Sequence, residues 1–367
     1  MVIELNNQPL KIIQIVRNWG PVGGMESYVW HISHELAKKN CLITVICEKS
    51  HKAPDHQNIN VIETGQLKQK PRWLMYRRFA KKVDDVIQTL GAKDYVIHSH
   101  ERSISHDITT FHSMPFATIK DKGWWKRISI RAWSYLRMEA QELGIEAKAG
   151  SLKDLKIIPV SSVIAKAIQQ YYPKVQPNIQ SPITPGVIQN PKRPNKPVPH
   201  DGGTIGFIGK EWARKGFEKF IKIASQLHAT RPNLKLLVLG PEKNQVMHLC
   251  ASYSGKISFL GWQASANYYQ ELDLLIHPAS SEAYGMVITE AMASHVPVLV
   301  SSACGAASDV SPQHGSVLDL NDSLDSWANQ ANDWLDHASD VPRYERPWSQ
   351  VADEYLAQYQ LIAKGKS

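Results

Sequence analysis

The sequence predicts an α/β chain built from two parallel-sheet domains in tandem. Three observations carry that prediction: the length, a twice-repeated alternation of short β-rich runs with amphipathic helical stretches, and a proline-dense interruption near the middle. At 367 residues the chain exceeds the size at which a single core keeps growing, about 250–300 residues, so each half can bury a core of its own.

The first series opens on KIIQIV, followed by a helical stretch that places Met25, Val29, Ile32 and Leu36 on one face, and then LITVICE. A strand, a crossover helix and a further strand in that order imply a parallel sheet. DYVIHSH, DITTFHS and LKIIPVS continue the series, each a buried strand ending in polar residues, and strand ends are where open α/β sheets place ligands. From Thr184, the segment TPGVIQNPKRPNKPVPHDGG has little apolar content and many helix breakers, which predicts an interdomain linker. The second series runs TIGFIG, the helix FEKFIKIASQLHA, KLLVLG, ISFLG, a helix around NYYQELD, LLIHPA, a helix after Gly285, and VPVLVS. WSQVADEYLAQYQLIAKG predicts a final amphipathic helix. The expected division is residues 1–187 for the first domain, 188–203 for the linker and 204–345 for the second domain, with a 346–367 helix packing back on the first.

Lys plus Arg number 42 against 34 Asp plus Glu, a net charge of +8 that favours an anionic partner without choosing among nucleic acid, phosphates and acidic lipid. Apolar runs such as KLLVLG fall far short of the roughly 20 residues that cross a bilayer, and MVIELNNQPLK lacks a signal-peptide pattern, so a cytoplasmic location is expected. The four cysteines, Cys41, Cys47, Cys250 and Cys304, form no CxxC pair, which suits a reducing compartment and core thiols rather than structural zinc.

Two motifs carry chemistry. In GFIGKEWARKGFEKF, Gly209 ends a strand and Lys210, Arg214 and Lys215 crowd a short loop before a helix, an arrangement suited to an anion and equally to a solvated basic loop. In SSEAYGMVITEAMA, Gly285, Met286 and Val287 begin a helix whose unpaired amides make a positive end. Glu282 lies in the loop before it and Glu290 one turn in, where carboxylates can accept hydrogen bonds from neutral hydroxyls, although surface or capping acids fit the same spacing.

The longer segment LDLLIHPASSEAYGMVITEAMASHVPVLVSSACGA resembles the donor-site signature of the retaining glycosyltransferases of the GT-B fold, family 4. The resemblance implies a GT-B architecture, two Rossmann-like domains facing across a cleft, with the acceptor bound by residues 1–187 and a nucleotide-sugar by 204–345. It further implies that Glu282 orients the transferred sugar, that the amides of Gly285, Met286 and Val287 hold the distal phosphate, and that Glu290 binds the ribose. Lys210 and Lys215, with Gly209 beside them, fall at the positions that neutralise the diphosphate, Lys210 standing where arginine is commoner. His295 replaces a usual glycine. GPVGGMESYVWHISHELAKK is similar to the family's glycine loop, so Gly23 and Gly24 are expected to admit the donor phosphates. FHSMP resembles its strand-end histidine, which adds His112 to Glu282 and Lys215 as expected catalytic residues. His98, His100, His106 and His112 could suggest a metal, but no carboxylate or cysteine completes a recognisable spacing, and the resemblance implies transfer without metal or other cofactor.

ATIKDKGWWKRISIRAWSYLRMEAQE has the composition of an interfacial membrane helix. Trp124, Trp125, Ile128, Ala132, Tyr135 and Leu136 gather on one helical arc with Lys126, Arg127, Arg131 and Arg137 elsewhere, and Lys122 lies just upstream. An anionic membrane surface is therefore an expected partner, contacted by Lys122, Trp124, Trp125, Lys126, Arg127 and Arg131 from the cytoplasmic side. Within the family this texture looks most like the lipopolysaccharide core glucosyltransferases, so the expected reaction moves a hexose, glucose foremost, from a UDP-sugar or other nucleotide-sugar to a lipid-linked saccharide. The alternatives are a family 4 enzyme of exopolysaccharide synthesis or with a soluble acceptor, and a non-enzymatic anionic-ligand or nucleic-acid-binding protein; no nucleic-acid-binding fold is recognisable, and no GxGxxG follows KIIQIV to support an oxidoreductase.

Overall fold

A computed structural model of the chain describes residues 8–123, 128–145, 155–263 and 266–366. It divides into two compact units, Met1–Gly186 with Pro347–Ser367, and Val187–Arg346.

The first unit begins with β1 (Lys11–Ile15), a short β2 (Asn18–Trp19), α1 (Gly24–Lys38), β3 (Leu42–Cys47), β4 (Lys49–Ser50) and β5 (Ile59–Glu63). It continues with α2 (Arg72–Leu90), β6 (Tyr95–Ser99), β7 (Ile108–Phe111), α3 (Ile130–Glu142), β8 (Lys156–Pro159) and α4 (Ser162–Tyr171). Six strands form one parallel sheet in the order β5-β3-β1-β6-β7-β8, while β2 and β4 make a small separate ladder. β1 is central and covered on both faces, which is why three of the five residues of KIIQI are buried isoleucines. Gln14 is its exception, fully buried among them, and a buried amide must be hydrogen-bonded.

The second unit repeats the plan with β9 (Gly202–Ile208), α5 (Phe217–Thr230), β10 (Asn233–Leu239), α6 (Lys243–Val246) and β11 (Lys256–Gly261), then β12 (Leu274–His277), α7 (Met286–Ala293), β13 (Val298–Ser301), β14 (Gly315–Leu318) and α8 (Leu324–Asp336). Its parallel sheet runs β11-β10-β9-β12-β13-β14. Phe207, Phe217 and Phe220 pack edge-on and tilted in its core beside the fully buried Trp327 of α8. The helix expected around NYYQELD is a 3-10 turn, Ala266–Glu271, too short to close α-helical hydrogen bonds through its length.

In both units the strand order reverses beside the first strand, at β1/β6 and at β9/β12, which is where an open α/β sheet offers a crevice at its carboxyl edge. Both halves are thus Rossmann-like, as the alternation of strand and helix patterns predicts.

Residues 188–203, expected as a linker, belong to the second unit. Arg193 anchors them: its buried guanidinium pairs with Asp273 at 2.6 Å and donates to the Ala338 carbonyl at 3.2 Å. Prolines and polar residues that look unable to pack are held there by one buried ion pair. His295 also finds its explanation. It follows α7 at φ +61°, the left-handed position where glycine is the default, and its Nδ1 lies 3.0 Å from the Val341 carbonyl. The chain closes with α9 (Trp348–Lys366), which packs within the first unit: Trp348 meets Tyr28 edge-on at 5.2 Å, Asp353 pairs with Lys39 at 2.7 Å, and Lys366 with Asp107 at 2.6 Å. All four cysteines are buried free thiols, and burial pushes Cys41 up to about 11 and Cys47 up to about 12.

Candidate functional site

In the second unit the basic loop and the glutamate segment come together at the carboxyl edge of β9 and β12. The loop from Gly209 to Gly216 is fixed at its far end by Gly216, at φ +80°, where a Cβ would stand 2.0 Å from the Pro278 carbonyl oxygen. Only glycine permits that approach. At its near end a Cβ on Gly209 would fall 2.2 Å from Cδ of Lys215, so the missing side chain leaves a path for the lysine stem. Lys215 uses it to place Nζ 3.2 Å from Glu282 Oε2, with both side chains largely buried.

Glu282 has two further partners. Arg214 stands 3.5 Å away and also donates to the Ser281 carbonyl, while His277 Nε2 lies 3.7 Å away, an electrostatic separation rather than a hydrogen bond. Burial works against ionisation of Glu282, but His277, Lys215 and Arg214 together outweigh it and hold the carboxyl down at about 2. The glutamate backbone is stitched down as well, its N–H donating to Ala303 and its carbonyl accepting from Gly305. A fixed, ionised carboxylate with a free oxygen can accept hydrogen bonds from neutral hydroxyls.

Gly285 caps α7 at φ +98°, so the first amides of the helix, from Met286 and Val287 onward, lack intrahelical acceptors and form a positive end. Glu290 follows one turn later, accepting a 2.8 Å hydrogen bond from Tyr269. Burial raises its pKa, with Tyr269 and Lys215 acting in the opposite sense. Lys215 is therefore the electrostatic partner of both glutamates. Lys210 is not drawn into this group: it is exposed, with Nζ 3.9 Å above the Trp262 ring. Arg214 and His277 carry no individual role in the sequence reading. Arg214 lies inside the basic motif, and His277 ends its strand as a polar residue in LLIH, the same signal that singles out His112.

In the first unit, Gly23 caps α1 and Gly24 begins it, with the Glu26 carboxylate folded back so closely that a Cβ on Gly23 would stand 2.4 Å from its oxygen. His112, just past β7, is half-buried; Tyr28 of α1 meets its ring edge-on at 4.9 Å and His100 Nδ1 lies 2.8 Å from its Nε2. Burial lowers its pKa to about 3, so the ring is neutral. Among the described residues no group of three or more His, Cys, Asp or Glu is arranged to hold a metal ion.

Of the basic aromatic segment, Trp124, Trp125, Lys126 and Arg127 lie outside the described residues, and Lys122 and Arg131 are exposed. The expected apolar arc is corrected: Ala132 and Tyr135 face the core, whereas Ile130 and Trp133 face solvent at 73% and 53% exposure, beside Ile128 at 71%. Glu139 sets the rotation of α3, because its buried carboxylate accepts from the Phe116 and Ala117 amides and the Tyr172 hydroxyl, and this turns Ala132, Tyr135 and Met138 inward with it. The outer face carries Arg131, Trp133 and Arg137. No helix among the described residues is long and apolar enough to cross a membrane.

The family model of glycosyl transferases group 1 matches residues 189–347. Lipopolysaccharide glucosyltransferase WaaG of Escherichia coli K12 is 35% identical over 105 residues, 27% of this chain and 28% of that protein. A GDP-mannose-dependent monoacylated alpha-(1-6)-phosphatidylinositol monomannoside mannosyltransferase of Corynebacterium glutamicum is 31% identical over 121 residues, 30% of this chain and 32% of its own length. The chain thus spans about a third or less of these curated relatives. Over 97% of this chain and 98% of theirs, the crystal structures of WaaG and of Anabaena HepE with UDP and glucose share the fold at TM-scores of 0.72 and 0.62, each with 17% identity. Residues 189–347 are therefore a glycosyl transferase group 1 domain, carried in a chain with the two-domain GT-B fold.

Proposed function

We propose that the protein is a retaining hexosyltransferase that moves a hexose, glucose foremost, from a nucleoside diphosphate sugar, a UDP-sugar foremost, to a lipid-linked saccharide of the lipopolysaccharide-core type. The observation that carries this reading is Lys215 placed against Glu282 and in electrostatic contact with Glu290, beside the positive end of α7. An anion with neutral hydroxyls on either side matches that pattern of charge. Glu282 orients the sugar, Lys215 with Lys210 and the α7 amides of Gly285, Met286 and Val287 take the diphosphate, Glu290 holds the ribose, Gly209 lets the lysine through, and Gly23, Gly24 and His112 serve the donor from the first unit. Relatives support the substrates: WaaG is named a lipopolysaccharide glucosyltransferase, and HepE was crystallised with UDP and glucose.

In this mechanism the bond from the anomeric carbon to the diphosphate breaks and the lysine and helix amides stabilise the departing charge. The acceptor hydroxyl attacks the oxocarbenium-like sugar on the face the diphosphate vacates, and a diphosphate oxygen takes its proton. The cationic side chains and helix end stand in for a metal. The exposed Ile128, Ile130 and Trp133, with Arg131 and Arg137 among them, suit reversible residence on an anionic leaflet, on the cytoplasmic side, where a lipid-linked acceptor is found. The test is release of free nucleotide from UDP-, GDP- and ADP-sugars with and without chelator. Turnover of a UDP-sugar unaffected by chelator is expected; no turnover of any sugar would refute the reading, and loss with chelator would refute metal independence.

A further inference from the structure

His277 ends β12 with its side chain wholly buried, and among the described residues neither ring nitrogen has a hydrogen-bond partner. A buried polar group left in that state costs stability. Burial lowers the His277 pKa, so the ring is neutral and has one N–H to give. The acceptor it faces is Glu282 Oε2, 3.7 Å from Nε2 and beyond the range of about 2.7–3.2 Å for an N–H···O bond.

Crowding on one atom keeps the two apart. The same Oε2 lies 3.2 Å from Lys215 Nζ and 3.5 Å from Arg214 Nη1. A carboxylate oxygen has two lone pairs, and these two cations take both, which leaves His277 outside. The cations are not held alike. Arg214 also donates to Glu211 and to the Ser281 carbonyl, and its own carbonyl accepts from the Ser280 amide and hydroxyl. Lys215 reaches Oε2 on a flexible stem, and the other carboxylate it acts on is Glu290. The lysine is therefore the donor that can leave. The Glu282 backbone stays tied to Ala303 and Gly305, and a side-chain shift of about 0.7 Å then brings Oε2 within bonding distance of His277 Nε2.

We infer that His277 is a reserve donor to Glu282: when a diphosphate draws Lys215 away, the His277 Nε2–H closes on Oε2 and keeps the carboxylate in place, its other oxygen open to a sugar hydroxyl. The exchange driven by the diphosphate rests on the proposed donor reading; the competition of Lys215 and His277 for Oε2 does not. His277 is a positioning residue that acts on the sugar through Glu282. Being neutral, it holds the carboxylate without cancelling the charge that attracts hydroxyls.

The experiment is long-range 1H–15N correlation of the imidazole rings in histidine-labelled protein, the His277 signal being identified by its loss in His277→Gln. Donor-free wild type, wild type with UDP, and donor-free Lys215→Met are compared, with Lys215→Ala in place of the last if it does not fold. The His277 proton should sit on Nε2; a proton on Nδ1 overturns the proposal. In Lys215→Met that proton should move downfield with no ligand present, and UDP should produce the same movement in the wild type. An unchanged signal in Lys215→Met overturns the proposal, as does an unchanged wild-type signal at a UDP concentration that calorimetry shows to be saturating. His277→Leu should weaken UDP binding about tenfold in the wild-type background, because the carboxylate that Lys215 leaves has lost its replacement donor. In the Lys215→Met background, where nothing is exchanged, the same substitution should leave UDP affinity unchanged. Equal weakening in both backgrounds is the mark of packing alone and overturns the proposal. If UDP does not bind the wild type while Lys215→Met still moves the His277 proton, the donor reading falls and the competition for Oε2 stands.

Discussion

Replacing Lys215 with Met keeps the length of the stem and removes the charge that, among the described residues, faces both glutamates. Two unit charges about 4 Å apart interact by about 4 kcal/mol at an effective dielectric of about 20, roughly a thousandfold in rate if fully expressed on a departing diphosphate. Arg214 and the α7 amides remain, so kcat for nucleotide-sugar turnover should fall about a hundredfold or more, measured by nucleotide release at saturating donor. A second readout is independent of catalysis. Glu282, with its pKa at about 2 against an ordinary 4.5, contributes stability that is present above about pH 5 and is lost as pH falls toward 2. At 1.36 kcal/mol per unit, that contribution is about 3 kcal/mol in the native protein. Without Lys215 the carboxyl pKa rises and this acid-dependent part shrinks, so the difference between melting temperatures at pH 7 and pH 3 should narrow. A Lys215→Met variant with kcat within about threefold of wild type and the same acid dependence would refute the assigned electrostatics.

Glu290→Gln should weaken nucleotide binding about tenfold by calorimetry, since a neutral amide accepts less well from ribose hydroxyls; unchanged affinity would remove the ribose role. Gly216→Ala forces a Cβ against the Pro278 carbonyl at positive φ, and about 2 kcal/mol or more of destabilisation should lower the melting temperature by about 5 °C. A shift under about 1 °C would contradict that geometry. Ile130→Ser with Trp133→Ser removes exposed apolar area, and sedimentation with anionic vesicles should show about tenfold weaker partition. Equal partition would place the membrane contact elsewhere.

Strands were legible where burial on both faces demanded continuous β-branched residues, as in KIIQI and LITVIC, and helices where one face alone was apolar. The glutamate segment and the basic loop were legible as separate motifs, but their meeting depends on Gly209 and Gly216, whose function is to be absent side chains. Local pattern could not rotate α3, because Ala132 with Tyr135 and Ile130 with Trp133 make equally apolar arcs, and the choice was made by Glu139, an acid whose three hydrogen bonds come from distant chain. The 188–203 segment shows the same limit: a linker and a segment pinned by one buried arginine have the same composition. β14 and α8 went unnoticed, the strand being four residues long and the helix lacking any motif beside it.

The return of α9 to the first unit has a consequence for how the chain matures. Domains generally fold as they are synthesised, first the N-terminal one. Here Gln14, His98 and Thr110 gain their tyrosine partners, and Tyr28 its neighbour Trp348, only from residues made after the whole of the second unit. Such contacts, separated by more than two hundred residues, form late and slowly. On the ribosome, the half that begins first is the half that finishes last.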